Sequence, residues 1–242
     1  MANLLIEIGN TALKAAWAEG TTLGKTFRYQ GEKFLKYILG IVEREKPEVM
    51  TIASSIEIPS EVREVLSGQC GRLVVFDRKN TDTLAYYGFP EYLSYDRAAC
   101  LVAVSNLFKG KASTLFDFGT TIAVDWLDEE GKYAGGIVSP GCRMRFNALN
   151  RYSRNLPLLN NPSEDDAENN TLESSIRKGV ISGMMFEIEG YVSEKPENII
   201  IFTGGDAFYF AKKMKNSIFV VSNLGLQGLA LMTEDYVKNN KE

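Results

Sequence analysis

One segment of the chain occurs twice. FDFGTTIAVDW at 116–126 restates IEIGNTALKAAW at 6–17, at a constant offset of 110 residues. In both copies an acid lies inside an apolar, strand-like run and is followed by glycine, a polar residue, threonine and a second strand-like run. Such self-similarity is the sequence signature of a duplicated structural unit, although two strand-turn-strand segments can also match by chance. The repeat favours an architecture built from two similar halves.

Each copy of the repeat is followed by the same series of predicted elements, a third strand and then alternating helices and strands. In the N-terminal half the predicted strands are 21–30, 48–54 and 72–77, and the helices are 31–45, 60–68 and 96–108. In the C-terminal half the predicted strands are 132–140, 198–204 and 217–222, and the helices are 171–194, 205–214 and 224–238. This pattern predicts an α/β protein with an N-terminal domain at 1–110, a C-terminal domain at 111–242 and a ligand cleft between them.

The glycine turn in each copy suits an anionic ligand. A tight turn of this kind presents backbone N–H groups to a phosphate oxygen, so two such turns could hold the phosphates of a nucleotide. The acid beside each turn could then bind a cation that offsets the phosphate charge. Lys14 could add a positive charge, or it could simply extend into solvent from the end of a strand.

The composition excludes several kinds of active site. The chain contains no histidine, which rules out Ser-His-Asp and Cys-His nucleophile systems and zinc sites that need imidazole. Proton transfer would fall to a carboxylate, lysine, tyrosine or water. A net charge of -4 argues against a nucleic-acid partner, because phosphate backbones require clustered lysine and arginine. The acidic stretch 163–170 is interpreted as a solvated loop in preference to a metal site.

The sequence also predicts a location. No apolar stretch approaches the roughly 20 residues that cross a bilayer, and no basic region precedes an apolar segment at the N-terminus. Cys70, Cys100 and Cys142 lie far apart without CxxC spacing and are interpreted as small core residues of a reduced protein. We therefore expect a cytoplasmic protein without a membrane partner.

The motifs resemble those of a known family. Both turns resemble the paired phosphate-binding loops of the acetate and sugar kinase, Hsp70 and actin superfamily, and IIIFTGGDA at 199–207 is similar to its adenosine motif. Over essentially its whole length the chain resembles the type III pantothenate kinases. The matching segments are EIGNTALK (7–14), YGFPEYLSYDRAA (87–99), DFGTT (117–121), GGIVSPG (135–141), NTLESSIRKG (170–179), TGGDA (203–207) and NLGLQGLA (223–230). The resemblance implies two duplicated ribonuclease H-like domains, each a mixed five-stranded sheet flanked by helices, with the active-site cleft between them.

The same resemblance implies roles for individual residues around the substrate. Asp96, in SYDR, matches the catalytic base that removes the proton of the substrate hydroxyl, and its alternative is a helix-cap or first-turn acid. Arg97 matches a residue that pairs with the pantothenate carboxylate, or it forms a surface ion pair. Thr171 matches a substrate hydrogen-bonding threonine, or it caps a helix. The remaining substrate-binding candidates are Tyr87, Ser94 and Tyr95.

Nucleotide and cation sites are implied in the same way. The ATP-binding candidates are Glu7, Ile8, Gly9, Asn10, Thr11, Ala12, Leu13 and Lys14 in the first turn, Gly119 and Thr120 in the second, and Gly204 and Gly205 in the adenosine motif. Asp117 matches the acid that binds an activating monovalent cation, potassium or ammonium, and Glu7 is a candidate ligand of magnesium.

Two positions depart from the family pattern. The first loop of the family normally begins with aspartate where this chain has Glu7, which moves the carboxylate by about one bond length and could shift the magnesium. The glycine of the family motif Gly-x-Asp-Arg is Ser94 here, and Tyr95 beside it is bulky, so we expect a tighter or reshaped pocket. Neither change removes the predicted base or the arginine.

The resemblance implies ATP-dependent phosphorylation of (R)-pantothenate to 4'-phosphopantothenate, the first step of coenzyme A synthesis. It also implies a homodimer, for which the apolar helix 97–108 could supply the interface or could instead belong to the core. The alternatives are another phosphotransferase of the superfamily and a non-catalytic nucleotide-binding regulatory protein, since some family members are described as accessory factors in transcription. Retention of Asp96 and Arg97 favours the kinase.

Overall fold

The computed structural model describes residues 2–79, 82–159 and 170–239. The strands are β1 Asn3–Ile8, β2 Leu13–Glu19, β3 Thr22–Tyr29, β4 Val49–Ser54, β5 Arg72–Phe76, β6 Ser113–Phe118, β7 Thr121–Leu127, β8 Tyr133–Pro140, β9 Ile199–Gly204 and β10 Ile218–Val220. The helices are α1 Phe34–Val42, α2 Ser60–Ser67, α3 Asp82–Tyr86, α4 Tyr95–Leu107, α5 Cys142–Tyr152, α6 Leu172–Glu194, α7 Ala207–Ala211 and α8 Leu224–Asn239.

The chain forms two compact units. The first unit comprises Met1–Lys109 and Asn223–Glu242, and the second comprises Gly110–Ser222. The repeat in the sequence divides the chain near residue 110 and so assigns α8 to the C-terminal half. In the structure α8 packs in the first unit. Most of the acidic stretch 163–170 lies outside the described residues.

Each unit is built around a five-stranded mixed sheet. The strand order is β3-β2-β1-β4-β5 in the first unit and β8-β7-β6-β9-β10 in the second. In each, the first strand pairs antiparallel with the second and parallel with the fourth. The two sheets therefore have the same topology, which confirms the predicted duplication and the predicted α/β class.

Alternation along β1 gives the sheet of the first unit two different faces. Leu4, Ile6 and Ile8 belong to a buried cluster with residues of α1 and α2. Glu7 points to the other face, which packs against α8. The position of this one acid in the pleat therefore puts it beneath the C-terminal helix.

Helices α4 and α8 pack closely together in the first unit. A Cβ atom at Gly228 would lie 1.6 Å from the carbonyl oxygen of Ala99, so the two backbones approach where glycine leaves room. The hydroxyl of Thr233 on α8 donates to that of Thr51 on β4 at 2.9 Å. The sequence left open whether helix 97–108 forms a subunit interface or part of the core. Residues 98–104 are buried within the single chain, which a position in the core explains.

Aromatic rings dominate the core of the second unit. The rings of Phe118 and Phe202 have centroids 4.8 Å apart, and Phe118 stacks on Phe210 at 5.1 Å. Residues of α5 and α6 complete this buried cluster. None of the helices within the described residues is long and apolar enough to cross a bilayer.

Candidate active site

The first turn closes the β1–β2 hairpin. The N–H of Gly9 donates to the carbonyl of Ala12 at 3.1 Å, and Ile8 pairs with Leu13 across the base of the turn. Ile8 and Leu13 are buried, whereas Asn10 and Thr11 at the tip are exposed. The turn is therefore anchored by its apolar ends and presents its polar residues and backbone to solvent, as a phosphate-binding turn requires.

Glu7 lies at the end of β1, directly opposite Lys14 on β2. The Lys14 ammonium donates to Oε1 of Glu7 at 3.3 Å. The Glu7 side chain is 14% exposed, and its Oε2 atom is buried with no hydrogen-bond partner among the described residues. Burial raises the pKa of Glu7, the Lys14 charge lowers it and the nearby charge of Asp96 raises it.

Asp96 lies in the first turn of α4, after Ser94 at the N-cap position. Within the described part of the chain, its Oδ1 atom is buried and accepts no hydrogen bond. Its charge acts on Glu7, so the sheet and α4 bring these two carboxylates near each other. The structural alternatives for Asp96 were a helix cap and a first-turn acid, and the residue lies in the first turn of α4.

The residues around Asp96 have different environments. Ser94 has an extended backbone (φ -73°, ψ 149°) that any residue adopts, so the absence of the family's glycine strains nothing here. The ring of Tyr95 is buried and stacks on Phe76 with centroids 5.3 Å apart, and burial raises its pKa to about 12. Arg97 is partly buried on the first turn of the same helix.

Sequence reasoning missed the partner of Tyr87. The Tyr87 hydroxyl donates to Oδ2 of Asp235 on α8 at 2.8 Å, and burial together with this carboxylate raises the Tyr87 pKa. The two residues are 148 positions apart, so no local pattern could have indicated the contact. Asp235 thereby links the C-terminal helix to the predicted substrate-binding segment.

The second turn, in the second unit, differs in register from the first. Asp117 faces Ala123 across the β6–β7 hairpin, and the N–H of Gly119 donates to the carbonyl of Thr121 at 2.9 Å. Gly119 and Thr120 are exposed. The hairpin is one residue shorter than the first, and the residue opposite its acid is Ala123, where the first turn has Lys14.

Two glycines of the adenosine motif pack against this second turn. Gly204 has φ +94°, and a Cβ there would lie 2.4 Å from the carbonyl oxygen of Phe118 and 2.6 Å from Oδ1 of Asp117. The N–H of Gly205 donates to the same Phe118 carbonyl at 2.8 Å. Glycine at 204 therefore allows the backbones of β6 and β9 to approach closely beside the Asp117 carboxylate, where a side chain would overlap both oxygens.

Thr171 caps α6 by a reciprocal arrangement. Its hydroxyl accepts from the N–H of Ser174 at 3.1 Å, and the Thr171 N–H donates to the Ser174 hydroxyl at 3.3 Å. The capping alternative thus describes its local structure, while the exposed Thr171 hydroxyl still has a proton to donate to a ligand.

The structure brings some of the predicted residues together within each unit. Glu7, Lys14 and Asp96 form one group in the first unit, and Asp117, Gly204 and Gly205 form another in the second. Across residues 2–79, 82–159 and 170–239, no group of three or more Cys, Asp or Glu side chains could hold a metal ion. A cation at either acid would therefore need additional ligands, such as backbone carbonyls, water or substrate phosphates.

Comparison with known sequences identifies a family. A sequence profile for type III pantothenate kinase matches residues 3–194. A type III pantothenate kinase of Flavobacterium psychrophilum is 33% identical over 231 residues, covering 93% of this chain and 96% of its own. One from Phocaeicola vulgatus is 34% identical over 232 residues, covering 94% of this chain and 96% of its own.

Solved structures with the same fold have much lower sequence identity. A protein of Campylobacter jejuni, described as a Baf family transcriptional activator, has a TM-score of 0.61 at 19% identity and covers 97% of this chain and 99% of its own. An activator of 2-hydroxyisocaproyl-CoA dehydratase from Clostridium difficile, solved with bound ADPNP, has a TM-score of 0.58 at 14% identity, with coverage of 99% and 96%. At these identities the likeness shows the fold alone.

Proposed function

The chain belongs to the type III pantothenate kinase family, and we propose that it transfers the γ-phosphoryl group of ATP to the primary alcohol of pantothenate. The product would be 4'-phosphopantothenate, from which coenzyme A is made. The observation that carries the proposal within the fold is the Asp96 carboxylate, which has a buried oxygen without a hydrogen-bond partner among the described residues.

Asp96 would act as the general base. The hydroxyl proton of the substrate must leave as its oxygen bonds to phosphorus, and a carboxylate oxygen with a spare lone pair can accept it. Because the chain has no histidine, a carboxylate is the natural group for this step. The first turn of α4 fixes the backbone of Asp96, which supports a base carried by a regular element of the fold.

ATP would be bound by both repeated turns. The backbone of residues 9–12 and Lys14 would contact phosphates from the first unit, and Gly119, Thr120, Gly204 and Gly205 would contact the nucleotide from the second. The hairpin register supports the assignment of Lys14, because it fixes this ammonium beside the acid at the end of β1.

The two acids at these turns fit cations with oxygen ligands. Oε2 of Glu7, which has no hydrogen-bond partner in the described part of the chain, suits magnesium, an ion commonly held by one or two carboxylates together with substrate phosphates. Oδ1 of Asp117 and the carbonyl oxygen of Phe118 both lie close to Gly204, and oxygen ligands of this kind suit a potassium or ammonium ion. When bound, these cations would offset the negative charge of the transferring phosphoryl group.

Pantothenate would be held by the polar side chains that the family motifs indicate. The guanidinium of Arg97 suits the pantothenate carboxylate, and the hydroxyls of Tyr87, Ser94 and Thr171 suit its polar groups. Tyr95 would contribute differently, since its ring is buried against Phe76 and fixes the start of α4.

We also propose a homodimer in the cytoplasm. Large apolar side chains of α5 and α6 line one groove and are exposed in the single chain, with exposed fractions of 83% for Tyr152, 49% for Leu172 and 36% for Leu149. A second copy that covers this surface would remove them from water. Cys70, Cys100 and Cys142 are all described, and no disulfide joins them, as expected for a reducing compartment.

The test is phosphate transfer from ATP to pantothenate with potassium or sodium as the only monovalent cation. We expect potassium-dependent turnover in the wild type and its loss in Asp96→Asn. Glu61→Gln is the matched control, because Glu61 is an exposed first-turn acid of α2 in the same unit and should keep full activity. Folded protein without turnover in either salt would contradict the kinase and would favour a nucleotide-binding regulatory protein.

A further inference from the structure

Gly225, the second residue of α8, lies against the carboxylate of Glu7. A Cβ atom at position 225 would be 2.7 Å from Oε2 of Glu7 and 3.3 Å from its Cδ. Side-chain carbons do not approach an oxygen this closely, so any residue with a side chain here would require Glu7 to move. The third neighbour, Sγ of Cys100, would be 3.6 Å away, which is an ordinary contact. The conflict would therefore be with Glu7 alone.

The conflict arises from the length of the acid at position 7. Strand pairing fixes the backbone of β1 between β2 and β4, so the carboxylate cannot retreat by moving its strand. An aspartate at this position would withdraw the carboxylate by one C–C bond, about 1.5 Å. That distance is enough to turn an overlap at residue 225 into a van der Waals contact.

We propose that Gly225 is a positioning residue for the Glu7 carboxylate, and that residues 7 and 225 are matched in size. The missing side chain at 225 allows the longer acid to place Oε2 under the first turn of α8 while Oε1 keeps its contact with Lys14. A methyl group at 225 would push the carboxylate aside, away from Lys14 or toward the charge of Asp96. The effect of this methyl group on catalysis rests on the proposed function, whereas the size match between residues 7 and 225 does not.

The test is a double-mutant cycle of Gly225→Ala and Glu7→Asp. Displacement of a phosphate-site group by about 1 Å can cost on the order of 100-fold, so Gly225→Ala should lower kcat/KM by about that factor and raise the magnesium concentration needed for half-maximal rate. In the Glu7→Asp background the same substitution should change kcat/KM by less than about threefold, because the shorter acid no longer meets the methyl group.

Gly40→Ala is the matched control, because Gly40 lies in α1 of the same unit and a Cβ there would meet nothing within 4 Å. It should leave both kinetic quantities unchanged. Thermal unfolding of the same proteins gives a second readout that does not depend on catalysis. Alanine is the better helix former, yet Gly225→Ala should lower the unfolding temperature, and Glu7→Asp should abolish that loss.

Two results would overturn the size match. Gly225→Ala could behave like Gly40→Ala, which would mean that the helix absorbs the methyl group. The loss could also persist undiminished in the Glu7→Asp background, which would mean that it does not run through Glu7. If the wild type itself fails to phosphorylate pantothenate, the proposed function fails, and the unfolding-temperature cycle alone still decides whether residues 7 and 225 are coupled.

Discussion

Gly228 is the position at which a single methyl group should most strongly disturb the first unit. The Cβ of an alanine there would lie 1.6 Å from the oxygen, 2.4 Å from the carbon and 3.0 Å from the Cα of Ala99. These are backbone atoms of α4, which cannot rotate away as a side chain could. Helices α4 and α8 would have to separate to admit the group.

The size of the effect follows from that separation. A carbon and an oxygen need about 3.2 Å, so the backbones must move apart by roughly 1.6 Å, and a gap of 0.5–1 Å already loses a quarter to a half of the dispersion energy. Overpacking usually costs about 1–3 kcal/mol, and a backbone obstacle puts Gly228→Ala at the upper end, about 3 kcal/mol. For a chain of this size the unfolding temperature should fall by about 6–12 °C.

Thermal unfolding followed by circular dichroism measures this directly. Gly40→Ala is the control for helix propensity, and it should be neutral or stabilising by up to about 1 kcal/mol. An unfolding temperature for Gly228→Ala within about 2 °C of the wild type would refute the reasoning, because it would mean that the two helices can separate at little cost.

Three further predictions concern the candidate site. Burial raises the pKa of Glu7 above its ordinary value of 4.5, so the stability associated with this group is fully present below pH 4.5 and is lost as pH rises through the folded-state pKa. The unfolding temperature of Glu7→Gln, measured relative to that of the wild type, should therefore increase with pH. A difference that stays constant with pH would contradict this. Tyr87→Phe and Asp235→Ala remove the same hydrogen bond, worth about 1 kcal/mol, so each should raise the KM for pantothenate about fivefold. Together they should raise it no more than either alone, and additive effects would argue against the pair acting through this bond. Gly204→Ala should abolish the thermal stabilisation by ATP, because the new Cβ would lie 2.4 Å from the Phe118 carbonyl oxygen and the backbone has φ +94°. Unchanged stabilisation by ATP would show that this turn does not hold the nucleotide.

The sheets and the family could be predicted because their signals are local. Alternating apolar residues and glycine turns determine the hairpins, and the repeat determines that there are two of them. Helix α5 was missed, because it is polar along most of its length and buries only Cys142 and Phe146. The predicted helix 205–214 proved shorter, at Ala207–Ala211, and the strand 217–222 contains only Ile218–Val220.

The contacts that the sequence could not predict join distant segments. α8 has the apolar pattern of a helix that closes the second half, yet it packs against β1 and α4 of the first unit. Its glycines show why, since Gly225 and Gly228 clear space for Glu7 and for the backbone of Ala99. The local apolar pattern predicts that such a helix exists. The surface against which the helix packs depends on the shape of the completed sheet, which the local pattern does not contain.

The two copies of the repeat also differ in a way that their sequences conceal. At the offset of 110 residues Lys14 corresponds to Val124, but the shorter second turn places Ala123, not Val124, opposite Asp117. The first acid is therefore paired with an ammonium group, while the second lies close to the Phe118 carbonyl oxygen beside Gly204. A site that contains a lysine suits a phosphate with its divalent ion, whereas neighbouring carboxylate and carbonyl oxygens suit a weakly held monovalent cation. The second copy therefore differs from the first both in its shorter hairpin and in having no lysine at position 123 or 124, and these two differences accompany the different roles that we propose for the two copies.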